Sequence, residues 1–529
     1  MQQATQQSTQ HPMSNPIQRA TRNCIGDAFA RSVVRQKSKV ALQFGDRSWT
    51  YQQLDAAVNR VANRLLETGL VPGDRVAAYG KNSDAYLLLW LACTRTGLIH
   101  VPVNFALVQD ELSYIFNQSG ARALFCDASL AANVDSLKGQ IPAQIIGSLR
   151  SENPDPLALD ILAMAQSDAA ISAPDVELNE NDIVQILYTS GTTSDPKGAM
   201  HTHRSLMSEY SSCLLHLDIK ETDRQLAGLP LYHSAQMHVF VMPGLLIGSH
   251  IQLIEAPVAD RVLALIEAEQ ISSFFAPPTV WIGLLRHPAF DQHDLSRLKN
   301  LYYGASIMPE PIVAELARRL PSGGLFNCYG QSEIAPLATV LTPEQHQRYP
   351  ASAGKPVTSV QTRIIDPSTF QECAAGEQGE IVHRSPQLMV GYWGKPTETE
   401  EAFAGGWFHS GDLAYQNEEG YIFIVDRIKD VVNTGGVLVA SRDVEEVLYT
   451  HPAVAEVAVI GLPHAKWIEA ITAIVVLKMD CDATEAQLLQ HAQQHLAPFK
   501  VPKAIHLVAA LPKNSAGKLL KRTLRTTFS

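Results

Sequence analysis

The sequence has no Cys-x-x-Cys pair. Its seven cysteines, Cys24, Cys93, Cys126, Cys213, Cys328, Cys373 and Cys481, are scattered and odd in number. A disulfide framework or a zinc knuckle is therefore disfavoured, and a reducing, cytoplasmic setting fits best. Long apolar runs are missing: the densest early one, Tyr86 to Cys93, falls far short of a bilayer span, so no membrane-spanning segment is expected. The opening MQQATQQSTQHPMSNP lacks the apolar stretch of a signal peptide and reads as part of a disordered tail over residues 1–20. Excess positive charge is absent too. With 42 Lys and Arg against 53 Asp and Glu, the net charge of −11 argues mildly against a nucleic-acid partner.

What is present is an ordinary globular composition, 46% hydrophobic and 18% charged, in 529 residues, which is too long for one core. From about residue 40 to 150 the pattern alternates. A helix over 51–68 carries Leu54, Val58, Val61 and Leu65 on one face, and β-rich runs follow at Arg75–Tyr79, His100–Val103 and Ala123–Cys126. Strand–helix alternation implies parallel sheets covered by helices. The region 183–340 repeats the style, with a strand, a Gly/Ser/Thr loop and a helix from about Arg204. After about residue 426 the pattern changes to helix (from Ser441), strands at Glu456–Leu462 and Ile471–Leu477, a helix capped by Thr484 with Gln487, and a strand. The expected fold is α/β: a large N-terminal region of helix-covered, mostly parallel sheets over 21–427, and a small mobile C-terminal α+β domain over 428–529. The hinge is expected near Asp426–Asp430.

The strongest local signal is Tyr188-Thr-Ser-Gly-Thr-Thr-Ser-Asp-Pro-Lys-Gly198. A loop of hydroxyls, backbone N–H groups and one cation suits a polyphosphate, although the Walker A spacing is absent. A flexible surface loop is its bland alternative. Tyr329-Gly-Gln-Ser-Glu333 offers an aromatic, a hydroxyl and a carboxylate able to hold Mg²⁺, and a turn with a solvated Glu explains it equally well in isolation. His409-Ser-Gly-Asp412, Asp426-Arg-Ile-Lys-Asp430 and the loop ending at Lys518 each read alone as a turn, a charged linker and a solvated charge.

Taken together and in this order, with Gly379-Glu-Ile381 and Gly391-Tyr-Trp393 between them, these segments resemble the adenylate-forming superfamily of acyl-CoA synthetases, aryl-CoA ligases, luciferases and peptide-synthetase adenylation domains. The pattern is closest to fatty-acyl-CoA synthetases and spans nearly the whole chain, from Trp49-Thr-Tyr-Gln-Gln-Leu54 to Lys518. The resemblance implies ATP, Mg²⁺ and coenzyme A. It implies that Thr189, Ser190, Gly191, Thr192, Thr193 and Lys197 hold the β- and γ-phosphates. Gly304, Ala305 and Ser306 would wall the adenine and acyl sites, Tyr329 would stack on adenine within Tyr329-Gly330-Gln331-Ser332, and Ser332 would meet the α-phosphate. Glu333 would be the metal ligand. Asp412 and Arg427 would bind the ribose, with Ile424 packed nearby. Lys429 would be the hinge, and Lys518 would bridge carboxylate and α-phosphate. Gly435 and Gly436 would admit the pantetheine arm. In Thr434-Gly-Gly-Val-Leu-Val-Ala-Ser441 the commoner Glu-Asn pair is replaced by Val437 and Leu438, and the commoner Pro by Ser441.

The acid is expected to sit among His233, Trp281 and Gly304. Pro230-Leu-Tyr-His-Ser-Ala-Gln236 has no Asp or Glu to pair with an ammonium, which disfavours amino acids. Tyr232, Met237, Val239, Phe240 and Met242 lean the expectation toward a medium- or long-chain fatty acid. The alternatives are a stand-alone ligase that loads a separate acyl carrier protein, and a non-catalytic nucleotide-binding protein. The joint presence of Lys197, Glu333, Asp412, Arg427 and Lys518 speaks against the latter. A homodimer is left open.

Overall fold

The computed structural model describes residues 16–151, 159–189, 195–435, 437–479, 481–514 and 519–529. Within the tail expected over 1–20, Pro16–Thr21 is helical and Arg19 pairs with Asp175 at 3.3 Å. The amphipathic helix runs Tyr51–Glu67, and the Thr50 hydroxyl accepts the Gln53 N–H in a capping box. Its apolar stripe packs on the longer helix-bearing core, where Leu54, Val58, Val61 and Leu65 are fully buried.

Two large sheets take up every strand from Val40 to Pro356. One has nine strands. Its parallel centre orders Gly324–Gly330, Asn300–Gly304, Ser273–Ala276, Arg224–Ala227, His250–Leu253 and Val40–Phe44 side by side. The other has six strands, with Ile145–Ser148, Ala123–Cys126, Arg75–Tyr79, Ile99–Val103 and Ile183–Thr189 all parallel and Lys197–Thr202 returning antiparallel at the edge. Most connections are helical, as the alternating pattern requires. A third sheet departs from the parallel expectation. Gln361–Ile365, Gly379–Arg384, Phe408–Gln416 and Ile422–Arg427 form a four-stranded antiparallel meander.

Arg427 ends that meander, and a turn follows in which the Asp430 and Val431 N–H groups both bond Arg427 O. Lys429 lies within this turn. Beyond it, the strands Val432–Thr434, Val437–Val439, Val454–His464, Ile468–Leu477 and Ala504–Leu507 make a second small sheet, flanked by the helices Ser441–Tyr449 and Glu485–His495. Thr484 and Gln487 form the expected capping box.

The two bodies meet across the turn. Ser441 opens its helix with no cap from Ala440. Instead its N–H and its hydroxyl both donate to Asp426 Oδ2, at 2.7 and 2.6 Å. Lys521 of the last helix donates to the Ser441 hydroxyl at 2.5 Å and pairs with Glu445 at 2.9 Å, while Arg525 pairs with Asp430 at 2.6 Å. No helix among the described residues is long and apolar enough to cross a membrane.

Buried histidines set an acid limit on this fold. Burial holds His100 and His383 down to about 3, and His201 and His203 down to about 4. The unfolded chain takes up protons on these rings near the ordinary histidine range, so acid favours unfolding. Each ring then withdraws on the order of 1 kcal/mol of stability by pH 5.5. Burial holds Glu209 well above the usual carboxylate range, which carries the opposite sign and offsets part of the loss. The urea midpoint is expected to fall between pH 7 and pH 5.5. A midpoint that stays level or rises would mean that these rings are charged in the folded protein.

Candidate active site

The C-terminal ends of the large sheets and one end of the meander converge on a short 3₁₀ turn, Ser332–Ile334. It follows the strand Gly324–Gly330 because Gly330 takes a φ of 156° in a place where a side chain would collide: a Cβ there would stand 1.7 Å from Pro336 O. Gly304 ends the neighbouring strand under the same constraint, with a Cβ falling 2.1 Å from Cys328 O. Ala305 and Ala335 sit at φ 63° and 80°, conformations that L-residues seldom adopt.

Glu333 is 8% exposed and lies where three segments meet. Its Oε1 accepts from Thr189 Oγ1 at 3.2 Å and from the Tyr392 hydroxyl at 3.1 Å. Tyr392 arrives on a stretch that zips onto the edge strand Lys197–Thr202: Met200 N–H bonds Gly391 O, and Trp393 N–H bonds Gly198 O. Lys197 pairs with Thr189 in that hairpin and rests its ammonium 5.2 Å from the Tyr392 ring centre. Burial, then Glu333, pushes the Tyr392 hydroxyl far up, so it stays a donor. Residues 190–194, which include Ser190, Gly191, Thr192 and Thr193, lie outside the described residues, as do Gly436 and Lys518.

A second carboxylate, Asp412, is buried on the meander. Its Oδ2 accepts from the Tyr329 hydroxyl at 2.8 Å and its Oδ1 pairs with Arg427 Nε at 3.0 Å. Burial, followed by Asp412, raises Tyr329 well above the phenol range, and Asp412 raises Arg427. Ile424 packs with Tyr329 in one small apolar cluster. Among the described residues each Asp412 oxygen takes one of these donors and keeps a second lone pair, as a pair of vicinal hydroxyls would need. Ser332 Oγ meets Ser234 Oγ at 2.9 Å, and the buried Gln331 Nε2 has no hydrogen-bond partner among the described residues. An orphaned donor beside two hydroxyls fits a polar ligand such as a nucleotide.

The donor set also fits Mg²⁺. Among the described residues no hydrogen bond reaches Glu333 Oε2, and no group of three His, Cys, Asp or Glu side chains could cage a metal alone. Magnesium bound through one carboxylate and substrate phosphates is the arrangement such a site supports.

The side chains expected around the acid differ in how they are packed. Trp281 is 1% exposed, edge-on to Phe274, with its N–H on Tyr302 O at 3.0 Å. Helix Pro278–Leu285 turns it onto the sheet, where it packs in the apolar core. Met237, Val239, Phe240 and Met242 are likewise core, each 3% exposed or less. His233 stays half-buried against Tyr232, with ring centres 5.0 Å apart. In the small domain Gly435 takes φ 66° and donates its N–H to Trp467 O at 2.6 Å. Sequence reasoning passed over Trp467, which carries the ammonium groups of Lys466 and Lys503 at 4.8 and 5.0 Å from its ring. It noted Tyr392 only as part of a motif.

A family profile described as "AMP-binding enzyme" matches residues 29–393, and one described as "AMP-binding enzyme C-terminal domain" matches 443–518. The chain is 35% identical over 491 residues to a feruloyl-CoA synthase of an Amycolatopsis species, covering 92% of this chain and 96% of that one. It is 34% identical over 487 residues to the long-chain-fatty-acid–CoA ligase FadD13 of Mycobacterium tuberculosis, covering 92% and 94%. ATP-bound MatB from Rhodopseudomonas palustris superposes with a TM-score of 0.87 at 30% identity, over 95% of this chain and 99% of that one.

The Gly330 constraint yields a direct check. Gly330→Ala must push the Ser332–Ile334 turn aside, and a misplacement of about 1 Å costs on the order of 100-fold in rate. Pyrophosphate release from ATP is expected to fall by that factor while the circular-dichroism spectrum stays unchanged. A near-native rate would remove the turn from the chemistry.

Proposed function

The chain belongs to the AMP-binding enzyme family and is an acid–thiol ligase that works through an acyl-adenylate; from that premise we propose that it couples a compact, apolar carboxylic acid to coenzyme A, with Glu333 as metal ligand and Lys518 as the adenylating lysine. The observation that carries the reading is the convergence of Thr189, Lys197, Tyr392 and Glu333 at one point, with Asp412, Tyr329 and Arg427 beside it.

A carboxylate is a poor electrophile because its oxygen leaves poorly. Its attack on the α-phosphorus of ATP forms a mixed anhydride and breaks the bond to pyrophosphate. The thiol sulfur then attacks the acyl carbon, and AMP departs with the anhydride oxygen. Lys197 and the Thr189 hydroxyl stand where the departing phosphates gather charge, and Asp412 with Arg427 fixes the ribose end. Mg²⁺, when bound by Glu333, neutralises charge on the phosphate oxygens. Lys518 orients carboxylate against phosphate, and loss of such a donor costs on the order of 10²–10³ in rate.

Coenzyme A as acceptor is supported by Trp467. Two lysines flank its ring, and Gly435 lies beneath it, where a Cβ would come within 3.3 Å of the indole. An aromatic face with two ammonium groups suits a phosphorylated adenosine.

The acid's size is read from a stack of rings. Phe240 lies 4.5 Å from Phe275 and 4.9 Å from Tyr302, and Tyr302 lies 5.1 Å from Phe326. These rings belong to the same packed cluster as Ala235 and Tyr329, so a chain running deeper past Gly304 meets filled space. The residues that favoured a long fatty acid are the ones that fill it.

The first experiment is pyrophosphate release over graded fatty acids and aromatic acids, with and without coenzyme A. Sustained turnover with compact acids only when coenzyme A is present, with acyl-CoA formed, is expected. Preference for long chains would overturn the size reading. Adenylate that accumulates despite coenzyme A would shift the acceptor to a carrier protein. Lys518→Ala is expected to lose adenylation and to keep thiolysis of supplied acyl-adenylate; an equal fall in both halves would remove its assigned role.

A further inference from the structure

The carboxylate of Glu333 can serve a metal only if its short turn is held still, and the turn is held from outside. Three successive carbonyls each receive a donor from outside the turn: Ser332 O from His201 Nε2 at 2.7 Å, Glu333 O from Met389 N–H at 2.8 Å, and Ile334 O from Gln387 Nε2 at 3.3 Å, the longest of three contacts that share the two protons of that amide. Burial keeps His201 neutral at neutral pH, so the proton it donates resides on Nε2. Leu337, where the chain re-enters the sheet, is gripped at both main-chain groups. Its N–H donates to Glu209 Oε1 at 3.0 Å, and its O accepts from Gln387 Nε2 at 2.9 Å.

Gln387 and Glu209 are also bonded to each other, Nε2 to Oε2 at 2.5 Å, and Ser212 Oγ donates to Gln387 Oε1 at 2.7 Å. Both side chains have 0% exposure. Glu209 and Ser212 stand on the helix His203–His216, and Gln387 stands on the loop that goes on to Met389 and Tyr392. One connected polar unit thus ties a helix, a loop and the turn. A carboxyl group buried where a leucine would pack costs free energy. Here it is matched by the groups it secures, the Leu337 N–H, the Gln387 amide and the Cys213 thiol.

We propose that Glu209 and Gln387 are positioning residues, which set the direction of the Glu333 carboxylate toward the metal–nucleotide while touching neither. The proposal rests on Glu333 being the metal ligand. Gln387→Met keeps length and volume and removes every polar contact. Ser212→Ala loosens the same amide with little disturbance of the core.

The test is Mn²⁺ binding in the presence of α,β-methylene-ATP, followed by electron paramagnetic resonance, alongside nucleotide binding without metal and thiolysis of supplied acyl-adenylate. Gln387→Met is expected to weaken Mn²⁺ binding by about tenfold, the worth of one or two hydrogen bonds. Ser212→Ala is expected to shift it the same way by less. Metal-free nucleotide binding and thiolysis should stay as in the native enzyme. Should Gln387→Met fail to fold, Ser212→Ala alone decides. Glu333→Gln is the control. Unchanged Mn²⁺ binding there would sink the metal-ligand assignment and this proposal with it. A shift in Glu333→Gln with none in the folded Gln387 or Ser212 variants would overturn the positioning role alone, as would equal losses in metal binding and thiolysis.

Discussion

The Asp412 carboxylate is the point on which the site's geometry depends. One oxygen takes the hydroxyl of Tyr329, at the end of the nine-stranded sheet, and the other takes Arg427, the last residue of the meander. That shared acceptor ties two separate sheets together where the nucleotide is expected. A buried carboxylate with two donors, one of them cationic, has a defined direction that a solvated one lacks. It leaves the glycine-bounded turn of Glu333 on one side and the linker to the small domain on the other.

Much of this fold is legible in the sequence where burial is one-sided. The helix Tyr51–Glu67 declares itself by the spacing of Leu54, Val58, Val61 and Leu65, and the strand Arg75–Tyr79 by a compact apolar run between a turn and a helix. The meander is not legible. Phe408–Gln416 buries alternate residues but places His409, Asp412 and Gln416 along it, so no clean apolar alternation marks it as a strand. Trp281 illustrates a different limit: sequence spacing says that a residue lies on a helix near the site, not which face of that helix the sheet takes up.

The site divides in the same way. Glycines, hydroxyls and charges in ordered motifs are visible as a set, and Glu333, Asp412 and Arg427 belong to it. The partners that orient them are invisible because they come from elsewhere in the chain. Thr189 lies 144 residues from Glu333, and Tyr392 lies 59. Glu209 sits in an ordinary helix with no motif around it. A carboxylate's environment is a property of packing, and packing is written in no short segment.

Ser441 draws one more consequence from the linker. A proline at that position would have no N–H to give, whereas this residue gives two protons to Asp426. The helix Ser441–Tyr449 thus borrows its N-terminal anion from the other body. Any swing that parts the two leaves the helix frayed at its first turn and takes both of these donors from Asp426 Oδ2, while Oδ1 keeps the Arg427 N–H, a penalty of about 1 kcal/mol or more. Were the small domain to turn between the two steps of the proposed reaction, it would start from a spring-loaded pose, set by what its own first helix loses on leaving.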